Sequence, residues 1–311
     1  MTNAPVRHLI STTDLTDAEL RALVERGAEF SRASVRSGDQ LAGLVAGVLF
    51  LKTSTRTRTS FSSAALRLGA RLVSFGPGDL QTNTGETLAD TAEVLSRMLD
   101  LLVVRTAGDP GGLRAFTRQH RMAVINAMTA DEHPTQAVAD LTTLLVHFGR
   151  VEGLRVCYVG EGNNSAAALA LTLSRYPGVR LELRTPPGYG LDARTLRRAG
   201  EYAKASGAHV REVHTMTDPP RDADVLYTTR WRTTGTTKPD TGWREVFAPF
   251  QVTSALWEAS PDAVFLHDLP AHRGEDVTAE VLDGPHSLAF DQAENKMYAA
   301  MAVLEWCAPR R

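Results

Sequence analysis

The segment Lys52–Thr53–Ser54–Thr55–Arg56–Thr57–Arg58–Thr59–Ser60 crowds hydroxyls and two guanidinium groups between a short apolar run and a helical pattern. Backbone N–H groups at a helix start favour an anion. Serine and threonine hydroxyls add donors, and an arginine adds a planar, bidentate fork. This chemistry suits a phosphate, although the GxxxxGK[ST] loop is absent; a solvated, capped turn is the plain alternative. Arg105 ends a second apolar run, and His133–Pro134–Thr135–Gln136 opens a long apolar helix pattern. Sites in open parallel sheets lie at the carboxyl ends of strands, so Arg56, Arg105 and His133 are expected to face one crevice. Charge-assisted hydrogen bonds contribute roughly 1.5–3 kcal/mol each, and a few of them suffice to hold a small dianion.

The second half offers different groups. Val159–Gly160–Glu161–Gly162–Asn163–Asn164 begins like a dinucleotide fingerprint, but Ser165 stands where the third glycine belongs. Glu182 lies at a suitable distance for a ribose contact, yet falls in the middle of a strand pattern. A dinucleotide is therefore a minor expectation, and Asn163 and Asn164 instead offer amide groups. Arg230 and Arg232 follow another strand pattern, and His267–Asp268–Leu269–Pro270 follows the last one. An X–Pro bond costs only about 0.5–1 kcal/mol to be cis, so Leu269–Pro270 is a candidate for that geometry. Asp268 reads either as a capping or ion-paired carboxylate or as a substrate contact.

The elements that must position these groups alternate along the chain. Thr16–Asp17–Ala18–Glu19 has the form of a capping box at a helix start. Apolar runs predict strands at 45–51, 71–75, 101–104 and 122–125, with helices at 58–68, 87–99, 112–120 and 135–148. After 149–153 the pattern restarts, with strands at 155–159, 179–184, 210–213, 224–228 and 263–267 and helices at 165–176, 191–206 and 289–308. Runs that are apolar on both faces fit buried parallel strands. The expected fold is α/β, with two doubly wound parallel-sheet domains. The domain boundary is placed at 148/149.

Composition agrees and excludes much else. The 311 residues are 43% hydrophobic and 23% charged, and 34 Lys+Arg against 36 Asp+Glu give a net charge of −2. That balance argues against a dedicated nucleic-acid binder. The two cysteines, Cys157 and Cys307, lack metal-ligand spacing, so neither a metal site nor a disulfide framework is expected. Residues 1–11 have no apolar signal region, and no apolar run approaches the ~18 residues of a membrane span. A cytoplasmic enzyme or binding protein, with no membrane partner, is the expectation.

Ser54–Thr55–Arg56–Thr57–Arg58, His133–Pro134–Thr135–Gln136 and His267–Asp268–Leu269–Pro270, in this order and spacing, resemble the aspartate/ornithine carbamoyltransferase family over nearly the whole chain. The resemblance implies two α/β domains: a carbamoyl-phosphate domain, 1–148 with a terminal helix at 287–311 packing back on it, and an amino-acid domain, 149–286. It also implies a homotrimer with active sites at subunit interfaces and no cofactor. Ser54, Thr55, Arg56 and Thr57 would hold the phosphate. Arg105, His133 and Gln136 would surround the carbamoyl group, with Thr55, Arg105 and His133 as donors to the developing oxyanion. Gln81 resembles a glutamine that ornithine enzymes supply from a loop near the subunit interface. Leu269 would accept from the carbamoyl amide through its backbone, and Lys296 stands at a carbamoyl-phosphate position where the family usually has arginine.

The acceptor side departs from the family. Ornithine enzymes show Asp-x-Trp-x-Ser-Met-Gly where this chain has Thr229–Arg230–Trp231–Arg232–Thr233–Thr234–Gly235, and a cysteine where it has Asp268. Thr229–Arg230 resembles the aspartate enzymes, but those have proline at 268 and a loop lysine where Thr84 stands. Arg230 with Arg232 is expected to grip a substrate carboxylate, Asp268 to face an ammonium or the attacking amine, and Asn164 to orient the amino-acid head. The expected acceptor is a small diamino acid, with 2,3-diaminopropionate one candidate; ornithine, giving citrulline, is the alternative. A catalytically silent anion-binding relative is the alternative of another class.

Overall fold

The computed structural model describes residues 6–34, 38–233, 237–238 and 241–309. The chain divides into two compact units, Met1–Val146 with Glu294–Arg311, and His147–Ala293. In chain order the first unit carries α1 (Asp17–Arg32), β1 (Val45–Phe50), α2 (Thr55–Arg67), β2 (Arg71–Phe75), α3 (Leu88–Leu95), β3 (Leu101–Arg105), α4 (Pro110–Ala115), β4 (Ala123–Asn126) and α5 (Pro134–Phe148). The rest is β5 (Arg155–Val159), α6 (Asn164–Leu173), β6 (Arg180–Arg184), α7 (Ala193–Ser206), β7 (His209–Val213), β8 (Val225–Thr228), α8 (Trp243–Phe247), β9 (Val264–His267), α9 (Ala279–Leu282) and α10 (Ala289–Cys307).

Both sheets are parallel, as the doubly apolar runs require. The first has the order β2-β1-β3-β4 and the second β7-β6-β5-β8-β9. In each sheet the chain leaves one strand in one direction and later returns on its other side. The switch points therefore lie between β1 and β3, and between β5 and β8, where the loops beyond the strand ends diverge and leave room for a ligand. Register places Phe50 beside Arg105 and Val159 beside Thr228. This is how residues far apart in sequence come to neighbouring strand ends.

Helix α2 begins three residues before the expected start at 58. Ser54 is its N-cap, the hydroxyl accepting from the Thr57 N–H at 3.3 Å. Thr55, Arg56 and Thr57 thus occupy the first turn, where the backbone donors are. The helices expected at 87–99 and 112–120 stop at Leu95 and Ala115. The capping box at Thr16 and Glu19 forms as expected, with each side chain bonding the other's backbone N–H.

From Glu294 onward α10 belongs to the first unit. Its Glu305 pairs with Arg26 of α1 at 2.9 Å, and its Asn295 bonds Ser31 at 2.8 Å and Thr143 of α5 at 3.3 Å. Gly27 permits this packing: a Cβ there would lie 2.7 Å from Thr142 Oγ1 and 3.6 Å from Ala299 Cα. The terminal helix thus packs on the first domain. No helix among the described residues is long and apolar enough to cross a membrane.

Candidate active site

In the first unit a buried polar cluster gathers at the ends of β3 and α2 and the start of α5. Arg105 is 7% exposed. Its Nη1 donates to Thr57 Oγ1 at 3.3 Å and to the Ala127 carbonyl at 3.4 Å, and lies 3.4 Å from His133 Nε2. On the other side of the ring, His133 Nδ1 lies 3.4 Å from Thr135 Oγ1.

Electrostatics keep the His133 ring uncharged. Burial pushes the His133 pKa well below the ordinary histidine range, and the positive charges of Lys296 and Arg105 push it further down. The imidazole is neutral at pH 7. Lys296 Nζ donates to Gln136 Oε1, and Gln136 Nε2 donates to Asp140 Oδ1 at 2.8 Å. The Gln136 amide is thereby fixed in one orientation between a cation and a carboxylate. Sequence reasoning did not single out Asp140, although its spacing of four from Gln136 on a helix was the available signal. Lys296 lies 160 residues beyond Gln136. Replacing it with glutamine keeps a donor but removes a charge that lowers the His133 pKa. The acidic limb of the pH–rate profile is then expected to move to higher pH. An unmoved limb would show that Lys296 does not tune the ring.

Glu132 fixes the backbone just before His133. It accepts from Ser11 Oγ at 2.5 Å, Thr12 N at 2.7 Å and Thr12 Oγ1 at 2.6 Å. Burial raises its pKa, and those hydrogen bonds oppose the rise. Other predicted groups of this unit lie at the surface or near it. Arg56 is half-buried, Thr55 is exposed, and Gln81 is exposed on a short 3-10 helix, Gln81–Thr84, with its amide oxygen 3.3 Å from Thr84 Oγ1. Arg58 ties α2 to the sheet, because it donates to the Phe75 carbonyl at 3.2 Å and lies over the Phe50 ring.

The second unit builds its own constellation around Asp268. Its Oδ1 accepts from Thr229 Oγ1 and its Oδ2 from Ser165 Oγ, both at 2.8 Å. Asn163 caps α6 by accepting from Ser165 N and Ala166 N, and its Nδ2 reaches Thr229 Oγ1 at 3.4 Å and Thr233 Oγ1 at 3.1 Å. Asn164 is buried, Arg232 exposed, and Arg230 half-buried with its Nε donating to the Arg232 carbonyl at 2.6 Å. Thr234 and Gly235 lie outside the described residues. In the sequence Ser165 stands out only as a missing glycine, and nothing in its spacing marks it as a partner of Asp268.

Leu269–Pro270 is cis, as the turn at a strand end allowed, and Leu269 has a φ of 52°. His267 shapes this turn. Its Nδ1 accepts the Leu269 N–H at 2.8 Å, so Nε2 carries the proton and donates to buried Asp276 at 2.8 Å. The dinucleotide expectation fails on geometry. Glu182 is held by Arg184 at 2.6 Å and Arg211 at 2.5 Å. Gly162 serves close packing, since a Cβ there would collide with the backbone of Gly190 and Leu191. Among the described residues no group of three or more His, Cys, Asp or Glu is placed to hold a metal ion.

Comparison with known proteins matches both units to one family. The model of the aspartate/ornithine carbamoyltransferase carbamoyl-P binding domain fits residues 7–145, and that of the Asp/Orn binding domain fits residues 152–307. An ornithine carbamoyltransferase from Gloeobacter violaceus is 39% identical over 300 residues, covering 95% of this chain and 94% of that protein. One from Caldicellulosiruptor saccharolyticus is 38% identical over 303 residues, covering 96% and 97%. Among solved structures, the ornithine carbamoyltransferase from Pyrococcus furiosus is similar with a TM-score of 0.90 at 36% identity, covering 98% of this chain and 97% of that one.

Proposed function

The chain belongs to the aspartate/ornithine carbamoyltransferase family, and from that membership we propose that it carries the carbamoyl group of carbamoyl phosphate to an amine of a small diamino acid. The products are a ureido amino acid and phosphate. Ser54, Thr55, Arg56 and Thr57, with the first-turn N–H groups of α2, bind the phosphate. An unprotonated amine attacks the carbamoyl carbon. The new C–N bond forms as the C–O bond to phosphate breaks, the phosphate leaves with the electron pair, and the proton lost by the amine passes to the departing phosphate.

Arg105, Thr55 and His133 stabilise the negative charge on the carbamoyl oxygen, the kind of preorganised stabilisation that dominates such reactions. The neutral His133 ring keeps the Arg105 fork in place, while Gln136, set by Lys296 and Asp140, faces the carbamoyl amide. The Leu269 backbone accepts from that amide, and Gln81 adds a further contact to carbamoyl phosphate. In the acceptor domain Arg230 with Arg232 takes the substrate carboxylate and Asn164 orients the amino-acid head. Asp268 takes the ammonium or the attacking amine.

One observation carries the acceptor assignment. Ornithine enzymes place an acid at 229 and a cysteine at 268; this chain has Thr229 and Asp268, and the two side chains touch at 2.8 Å. The acid thus stands at the end of β9, where the ornithine enzymes have it at the end of the neighbouring β8. Diamino acids shorter than ornithine, 2,3-diaminopropionate among them, are the acceptors proposed. Ornithine is the second reading, favoured because relatives at 37–39% identity bear that name. A panel of diamino acids with carbamoyl phosphate, scored for ureido product, decides. Turnover of ornithine with no preference for shorter amines would overturn the shorter acceptor, and carbamoyl-phosphate binding with no turnover of any amine would overturn catalysis.

We also propose a homotrimer in the cytoplasm. Leu66 and Met98 are 60% and 68% exposed, Val73 and Val94 are exposed as well, and β2 is an edge strand. Exposed apolar groups and an open edge favour association. Both cysteines are buried, unpaired thiols, which fits a reducing compartment. Light scattering is expected to give three times the 33.8 kDa chain mass; a monomer at micromolar concentration would overturn the trimer.

A further inference from the structure

Lys238 is half-buried, with its side chain turned inward. Its side chain is 2% exposed, and its Nζ lies 2.5 Å from Glu161 Oε1. Three aromatic rings surround the same ammonium: the centroids of Phe247, Tyr189 and Trp243 lie 4.6, 4.7 and 5.8 Å away. Trp231 braces this cage, 5.6 Å from Phe247 and 6.4 Å from Trp243. Aromatic faces attract a cation electrostatically, and most strongly once it is desolvated. Burial lowers the Lys238 pKa, and Glu161 opposes that shift. Aromatic faces closed by one carboxylate have the chemistry of an alkylammonium receptor, here filled by a residue of the same chain.

The cage is wired to the acceptor groups. Glu161 Oε2 accepts from Thr233 Oγ1 at 3.0 Å, and Thr233 Oγ1 accepts from Asn163 Nδ2 at 3.1 Å. The same Nδ2 reaches Thr229 Oγ1 at 3.4 Å, and Thr229 donates to Asp268 at 2.8 Å. An unbroken hydrogen-bonded path thus joins Lys238 to Asp268. We propose that Lys238 is a positioning residue for the amino-acid site, its caged ammonium fixing Glu161, Thr233 and Asn163 and, through them, the Thr229–Asp268 pair. It also neutralises Glu161, so that a substrate ammonium is drawn to Asp268 and not to the cage. This rests on the carbamoyl-transfer function proposed above and names a determinant of its acceptor selectivity.

The test uses the full-length enzyme. Lys238→Ala removes a propylammonium from the cage. Its KM for the amine is expected to rise at least 10-fold while the KM for carbamoyl phosphate stays within 2-fold. Millimolar n-propylammonium should restore at least a third of the lost acceptor kcat/KM and leave the wild type unimproved. Lys238→Met, which fills the cage without charge, should show the same KM split and no rescue; Lys238→Arg should stay near wild type. Equal rises in both KM values, or no rescue of the alanine variant, would overturn the proposal. A second readout is independent of turnover: n-propylammonium should change the tryptophan fluorescence of Lys238→Ala saturably and leave the wild type unchanged. If the wild type carbamoylates no amine, the proposed function fails, while this titration still judges the cage; no saturable change would overturn the cage as well.

Discussion

Arg105→Met is expected to lower kcat for carbamoyl transfer about 100- to 1,000-fold, the range for losing one preorganised donor to a developing oxyanion. Arg105 is buried, and its guanidinium is tied to Thr57, Ala127 and His133. It therefore needs little reorganisation as charge builds on the carbamoyl oxygen. Methionine keeps an unbranched apolar stem of similar reach, so packing changes less than charge. The KM for carbamoyl phosphate should also rise, because the ground-state carbonyl loses the same donor. One of the charges that keep His133 neutral disappears, so the acid limb of the pH profile should move upward too. Steady-state kinetics beside a thermal melt separate chemistry from folding. A correctly melting Arg105→Met enzyme with kcat within threefold of wild type would remove Arg105 from the catalytic set.

Asp268→Asn is expected to lower kcat/KM for the acceptor about 10- to 100-fold, corresponding to one charge-assisted hydrogen bond of roughly 1.5–3 kcal/mol. The KM for carbamoyl phosphate should not change. The substitution is close to isosteric, and the Ser165 and Thr229 hydroxyls that donate to Asp268 can rotate to accept from an amide. What is lost is the negative charge. The double exchange Thr229→Asp with Asp268→Cys returns the acid to the position of the ornithine enzymes, and it should shift preference toward ornithine over shorter diamino acids. Unchanged selectivity in both variants would show that Asp268 only supports the turn. Side-by-side kinetics with ornithine and 2,3-diaminopropionate give the answer.

Much of this is legible in the chain itself. Runs such as 45–51 and 101–104, apolar at every step, identify strands buried on both faces, and their alternation with helical patterns specifies parallel sheets. The hydroxyl-rich Ser54–Thr57 segment has the composition of a phosphate cradle whatever the fold. Its helix start is easily misplaced, because a serine N-cap and the first turn look alike in sequence until the hydrogen bond to Thr57 is seen. The short helices at Trp243–Phe247 and Ala279–Leu282 escape notice because so few residues give no measurable period.

What the sequence determined by itself was therefore the local and periodic part: the elements, the parallel sheets, the family motifs and the types of group available for chemistry. What only the tertiary structure decided was which of those groups meet. Strand order put the switch points at β1/β3 and β5/β8. Folding set Lys296 against Gln136, Thr229 against Asp268, and Lys238 against Glu161 inside an aromatic cage. It also set the protonation of His133, which depends on burial and on two cations distant in the chain. The physical reason is that residue type and spacing encode backbone preference and local burial, whereas hydrogen bonding and electrostatics at a site depend on distances between segments, which only the packed fold defines.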